Sequence, residues 1–265
     1  MGNPFVSVVV MTMGDADLVK KGLIDQTYRN FEVIFAREKG CVNALNRALA
    51  RARGDIFVRL DDDVELPRRW LENLISPFED DPSVAGCTGP TFVPKELRVN
   101  RDSIRWAESP HWFLKWLYDN GEVNPGGIRK CGCVSYDSNY EERLLFFDNE
   151  FECDHLEGTN WAMRTELIRK VGGFDPKFDG VSEWVDTDVE QKIKKLGYIL
   201  LYNPKAYLWH MIQPASPHFS ERFDGIGRLK NWLRYHLRHS RFHPKMVLYF
   251  MLWSFYFLTL KFRNK

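Results

Sequence analysis

The sequence predicts an α/β fold built on a mostly parallel sheet. Short β-branched and aromatic runs recur through the first 90 or so residues, apolar positions at helical spacing lie between them, and glycine or proline marks the changes of pattern. The 265 residues are 44% hydrophobic and 28% charged, enough apolar material for one large domain or a domain with an appendage. There is no low-complexity tract, collagen period or internal repeat of about 20–50 residues, which excludes disordered, fibrous and solenoid classes.

The first strand is Ser7 to Thr12 and the second Phe31 to Phe35, with room for one helix between them. Ala44, Leu45, Ala48 and Leu49 define a helical apolar face whose end is marked by Gly54. Ile56 to Leu60 is the third strand. Such alternation gives parallel strands covered on both faces. Asp61-Asp62-Asp63 follows at the strand end, Pro67 is placed to open a helix through Arg68, Arg69, Trp70 and Leu71, and Val84 to Cys87 reads as the next strand.

Ligands of open α/β sheets bind beyond the carboxyl ends of the strands, where the three aspartates sit. Adjacent carboxylates repel one another, and hard oxygen ligands suit Mg²⁺ or Mn²⁺ bridging a diphosphate. An acidic turn at a helix N-terminus is the equal alternative on these residues alone. A second island runs from Gly158-Thr159-Asn160 through Gly172-Gly173-Phe174-Asp175 to Glu183-Trp184-Val185-Asp186-Thr187-Asp188, and ends at Trp209-His210. Trp184 and Val185 would hold Asp186 beside apolar surface, which raises a carboxylate's pKa and suits a general base. The competing reading makes Asp186 or Asp188 the cap of a helix from Val189 to Lys195.

Taken in order, Ser7 to Thr12, Ala44-Leu45-Asn46, Gly54-Asp55, Leu60 to Asp63, Gly158 to Asp175 and Asp186 to His210 resemble the family 2 inverting glycosyltransferases. The resemblance covers roughly residues 5–212 and implies a GT-A-like fold, a nucleotide-sugar donor linked to UDP or GDP, and a divalent metal, Mn²⁺ or Mg²⁺. It implies Asp63 as metal ligand with His210, whose alternative is an ordinary core histidine, and Asp186 as catalytic base. It places Thr12, Arg37, Glu38, Asn46, Asp61, Asp62 and Asp63 around the donor, and Gly158, Thr159, Asn160, Glu183 and Trp184 around the acceptor. The chain departs from the family after the second strand, where Ala36-Arg37-Glu38 replaces the usual aspartates, and before the base, where Val185 replaces a glutamate and Glu183 is the nearest substitute. Arg37 cannot accept a hydrogen bond from a pyrimidine N–H, but it could face a guanine edge.

A sugar-nucleotidyltransferase would carry a glycine-rich phosphate loop after the first strand, whereas Gly14 stands alone there. A non-catalytic descendant would be expected to have lost the carboxylates that are kept here. Cys131-Gly132-Cys133 and Cys153-Asp154-His155 contain zinc-ligand residue types, but their one-residue gaps differ from the usual spacing. Trp106, Trp112, Phe113, Trp116 and Tyr118 are read first as packing residues and second as a sugar-stacking platform.

Charge divides the chain into a body, residues 1–221, and a tail over 222–265; within the body the resemblance implies a nucleotide-binding part (1–97) and an acceptor-binding part (98–221). The tail has ten Lys and Arg against Asp224 alone, a charge of +9 within a whole-chain +1, so the body carries −8. Ile226, Leu229, Leu233 and Leu237 recur at helical spacing, with Arg234, Arg238, Arg241 and Lys245 on another face up to Pro244. Met246 to Leu260 is apolar and aromatic but shorter than the roughly 20 residues of a spanning helix. These features predict peripheral attachment to a membrane surface and a lipid-linked or glycan acceptor, the alternative being packing on the body or a homodimer. Nucleic-acid binding would leave the apolar run unexplained. The start lacks a signal-peptide pattern and the five cysteines are irregularly spaced, so the expected location is the cytoplasm.

Overall fold

The computed structural model describes residues 3–97, 111–135, 142–178, 180, 182–212 and 225–263. Strands β1 (Val6–Met11), β2 (Phe31–Ala36) and β3 (Ile56–Asp61) alternate with helices α1 (Asp17–Ile24) and α2 (Cys41–Arg51). Next come β4 (Val64–Glu65), α3 (Trp70–Asp80), β5 (Val84–Thr88), β6 (Thr91–Phe92) and α4 (Trp112–Leu117). After them are β7 (Phe151–Glu152), β8 (Asn160–Arg164), α5 (Thr165–Lys170), α6 (Val185–Lys194), β9 (Ile199–Tyr202) and β10 (Leu208–His210), then α7 (Gly225–His239) and α8 (Pro244–Arg263).

The seven-stranded sheet has the order β2-β1-β3-β8-β5-β9-β7. β1 runs parallel to β2 and β3, and β5 runs parallel to β9, while β8 and β7 run against their neighbours. The mostly parallel α/β expectation therefore holds, with one rearrangement: β8, from the second island, lies between β3 and β5. Pairing Leu60 with Asn160 brings the Gly158-Thr159 loop to the carboxyl end of β3. Pro67 accepts the first turn's bond from Trp70 N at 2.9 Å, so α3 begins at Trp70 and not at the proline.

Strand alternation divides the core between the two faces of the sheet. One face packs Val6, Val8, Val58 and Leu60 under Val19 and Leu23 of α1 and Trp70 and Leu74 of α3. The other packs Val9, Phe57, Trp161 and Met163 under Leu45 and Leu49 of α2, Ile168 of α5, Val189 and Ile193 of α6, and Tyr235 of α7. A third cluster joins Leu117, Tyr118, Cys131 and Cys133 to Leu248, Tyr249 and Leu252 of α8.

The tail helices thus lie on the body. The amphipathic reading of α7 is reversed in one respect: Asn231, Trp232, Tyr235 and His236 are buried, whereas Ile226, Leu233 and Leu237 are exposed. The reason is chemical. Trp232 Nε1 and His236 Nε2 both donate to Gly132 O at 2.8 Å, and Arg228 and Arg238 reach acids of the body, so α7 turns its polar and aromatic side inward. The expected boundaries at 97/98 and 221/222, as well as Trp106 and Asp224, involve residues outside those described.

Candidate active site

The acidic strand end is folded back on itself. β4 follows β3 after a two-residue turn and pairs antiparallel with β10, with Val64 opposite His210. Met211 N donates to Asp63 O at 2.8 Å and fixes the register. His210 Nε2 consequently lies 3.0 Å from Asp63 Oδ1 and 4.0 Å from Asp61 Oδ2. One ligand atom from each of Asp61, Asp63 and His210 falls within 4.8 Å of the others. Two carboxylates and an imidazole, all largely buried, form a donor set that could hold a divalent cation. Between them, Asp62 is pushed above the usual carboxylate range by burial and by the charges of Asp63 and Asp61, against the effect of a hydrogen bond with Thr12. Such an excess of negative potential is what a cation would relieve.

The second carboxylate centre lies on the other side of Arg59. Phe57, Arg59 and Asp61 alternate onto one face of β3, and the Arg59 guanidinium forms a buried ion pair with Asp186 from the first turn of α6. Asp186 is held above the ordinary carboxylate range: burial raises it, Arg59 opposes, and Asp61 adds to the rise. One turn on, Glu190 is fully buried and pushed well above its usual range by burial and by Asp186, with its Oε2 accepting from Leu156 N at 3.2 Å. The backbone leading into this helix is unusual. Ser182 (φ 57°) and Trp184 (φ 72°) are both left-handed, a conformation rare for bulky residues and often found at functional sites. Since Trp184 occupies the cap position without a side-chain bond, neither Asp186 nor Asp188 is a capping residue; both lie inside the first turn.

Of the acceptor-assigned residues, Gly158 stands next to this pair, whereas Asn160 faces the other side of the sheet. A Cβ placed on Gly158 would stand 3.7 Å from Arg59 Nη1 and 3.9 Å from Asp186 Oδ2, so glycine leaves the pair open on that side. Thr159 is half-buried beside it. Trp184 stacks on Tyr235 at 4.5 Å, and Glu183 pairs with Arg228 at 2.8 Å. Asn160 is fully buried: its Oδ1 accepts from Trp70 Nε1 at 2.8 Å and its Nδ2 donates to Ala206 O at 2.8 Å, tying β8 to α3 and the β9–β10 loop.

Of the donor-assigned residues, Thr12 and Arg37 stand at the ends of β1 and β2, where Arg37 Nη1 donates to Gly14 O at 3.1 Å. Glu38 pairs with Arg51 at 3.2 Å. Asn46 bonds Phe174 in both directions, Nδ2 to O at 2.8 Å and Oδ1 from N at 3.0 Å, and so fixes the loop that leads to α6. Sequence reasoning passed over Arg59 and Glu190, although an arginine in the apolar run Ile56 to Leu60 was a visible signal. The cysteines do not assemble a zinc site: among the described residues the one cluster of three candidate metal ligands is Asp61, Asp63 and His210, and all five cysteines are free.

The family model described as glycosyl transferase family 2 matches residues 17–172, more than half of the chain. The chain belongs to glycosyl transferase family 2. Among curated proteins, this family 2 chain is 22% identical over 210 residues to a probable N-acetylgalactosaminyltransferase 8 of Caenorhabditis elegans, covering 74% of the chain and 44% of that protein. It is also 22% identical over 222 residues to the probable glycosyltransferase YdaM of Bacillus subtilis (strain 168), covering 80% of the chain and 40% of that protein. The chain thus spans less than half the length of these relatives. Solved structures share the GT-A fold: GalNAc-T7 with UDP, GalNAc and Mn²⁺ (TM-score 0.59, 16% identity, 88% of this chain and 48% of that one). The mannosyltransferase PcManGT of Pyrobaculum calidifontis, in complex with GDP-Man and Mn²⁺, gives TM-score 0.52 at 17% identity, over 96% of this chain and 70% of that one.

Proposed function

We propose that this family 2 chain is a metal-dependent inverting hexosyltransferase. It takes the sugar from a UDP- or GDP-linked donor and passes it to a hydroxyl of a lipid-linked acceptor at a membrane surface. The observation that carries the reading is the arrangement at the carboxyl end of β3: the Asp61, Asp63 and His210 cluster, then Arg59, then Asp186 under the open face of Gly158.

A divalent cation held by Asp61, Asp63 and His210 would supply positive charge against the diphosphate. The nucleotide lies over the ends of β1, β2 and β3, with Asp62 and Thr12 near its ribose. The acceptor enters past Gly158, Thr159 and Trp184. Its oxygen attacks the anomeric carbon from the face opposite the diphosphate, the carbon–oxygen bond to the diphosphate breaks, and Asp186 takes the hydroxyl proton. Attack from that side inverts the configuration. The solved neighbours in complex with GDP-Man or with UDP support a nucleotide-sugar donor and Mn²⁺ without deciding between the two bases.

The test is release of nucleoside diphosphate from a panel of UDP- and GDP-sugars with Mn²⁺, with and without polyprenyl or glycolipid acceptors. Acceptor-stimulated release that stops with chelator is the expected result. Binding of nucleotide sugar with no turnover on any acceptor would favour a non-catalytic, glycan-binding descendant.

A further inference from the structure

We propose that the outward faces of α7 and α8 form a docking surface for an anionic lipid bilayer, with the helices lying flat on it. The inference deepens the proposed function by locating the membrane contact, and it rests on that reading only for what the contact would serve.

On α7, Ile226, Leu233 and Leu237 lie within about 40° of one another at 100° per residue, and all three are exposed, Leu237 at 78%. On α8, Val247, Met251 and Phe255 recur four residues apart and are exposed, Phe255 at 70%. Phe242, in the turn that joins the two helices, is exposed at 77%. The helices pack against each other through Trp232, which stacks on Phe250 at 5.5 Å, so these residues belong to one two-helix unit. Their opposite sides are occupied: Tyr235 enters the main core, and Leu248, Tyr249 and Leu252 cover the cluster around Tyr118.

Charge selects the occupant. Residues 225–263 contain no Asp or Glu, and Lys230 and Arg241 are exposed beside the apolar stripes. Arg228, Arg238 and Lys245 are already neutralised by Glu183, Asp175 and Asp119 of the body, so the pairing with the acidic body uses the inner face and leaves the outer one apolar with a cationic fringe. An anionic headgroup layer over an acyl interior matches that combination. A second copy matches it poorly, because a two-fold contact through this face would oppose one acid-free surface to another. Among the described residues no helix is long and apolar enough to cross a membrane, which agrees with helices that lie on the bilayer. The 20 residues of α8 would extend about 30 Å along it.

The experiment is vesicle flotation of the full chain with phosphatidylcholine alone and with about 30% phosphatidylglycerol added, at low and high salt. Flotation with anionic vesicles, weaker with neutral ones, is expected. Leu237→Glu with Phe242→Glu should reduce it about tenfold or more, because two carboxylates replace the inserting groups. Each variant is checked by circular dichroism and by nucleotide binding, which should match the parent chain. A full chain that floats with neither vesicle, or a folded double variant that floats as well as the parent, overturns the proposal. If light scattering instead shows a dimer that the double variant dissociates, the surface is a self-association face. Donor hydrolysis measured in the same samples without lipid reports separately on the transferase reading, because these residues lie outside the site.

Discussion

Arg59 and Asp186 stand 127 positions apart in the chain and meet as a buried ion pair between β3 and the first turn of α6. The pair joins the two halves of the site, since Arg59 is also two residues from Asp61 on the same face of β3. It gives a buried carboxylate a cation to offset its burial while Asp186 remains above the usual carboxylate range.

The first consequence concerns Asp186 itself. Asp186→Asn keeps the shape and removes the basicity, so kcat on a hydroxyl acceptor should fall about 10²-fold or more with donor affinity nearly unchanged. Steady-state kinetics alongside nucleotide-sugar binding checks this. An unimpaired variant would redirect the reading to an acceptor that is already ionised, such as a lipid phosphate.

Arg59 should control the pH at which that base works. A carboxylate base is competent when ionised, so kcat/KM rises with pH through its pKa. Replacing Arg59 with Gln removes the opposing influence and leaves burial and Asp61 to raise the pKa further. The acid limb of the profile should therefore move to higher pH, while Arg59→Lys retains most of the parent profile. A pH–rate profile of the three proteins decides the matter, and coincident limbs would remove Arg59 from this role.

The strand–helix alternation, the meeting of the aspartate cluster with His210 and the burial of Asp186 are legible in the sequence because each follows from local pattern or from ordered motifs. The insertion of β8 between β3 and β5 is not, since it depends on a non-local pairing, Leu60 with Asn160, that no local period encodes. The two-residue strand β4 was too short to register as a pattern, yet it is the element that turns His210 onto Asp63. Arg59 is visible as a charge in an apolar strand, but its role follows only from its partner, Asp186, which lies far away in the chain. The tail shows the reverse case. Its helical period is visible in the sequence, but which face turns inward is decided by hydrogen-bonding partners on the body, Gly132 O above all.

Metal dependence should pass through the acidic cluster. Asp63→Ala removes the carboxylate nearest His210, and turnover and Mn²⁺-dependent nucleotide binding should both be lost while the far-ultraviolet circular dichroism is retained. Calorimetric titration of nucleoside diphosphate with and without Mn²⁺ is the measurement. Full activity of the parent chain in excess chelator would remove the metal from the mechanism.

Asp188 should anchor the tail to the helix that carries Asp186, and its effect should depend on pH in a definite direction. Its side chain is fully buried and accepts from His239 Nε2 at 2.8 Å and Arg238 Nη1 at 3.1 Å, with Lys192 Nζ at 2.6 Å. Although burial pulls its pKa up, the bonds from His239 and Lys192, the Lys192 charge and the Arg238 bond hold it well below the carboxylate range. A folded-state pKa below the unfolded value of about 3.9 means that the contribution is present in full above that pH and is lost as pH falls toward the folded value. Asp188→Asn removes the buried counter-charge of Lys192 and leaves Arg238 with Asp175 alone, and because both cations are partly exposed it should cost about 1–3 kcal/mol at neutral pH. Urea denaturation of parent and variant should show this gap at pH 7 and a smaller one in acid below about pH 4, because protonation of the parent reproduces the substitution. A gap that stays constant across that range would mean that the loss reflects shape alone and that the charge of Asp188 does not hold α7 against α6.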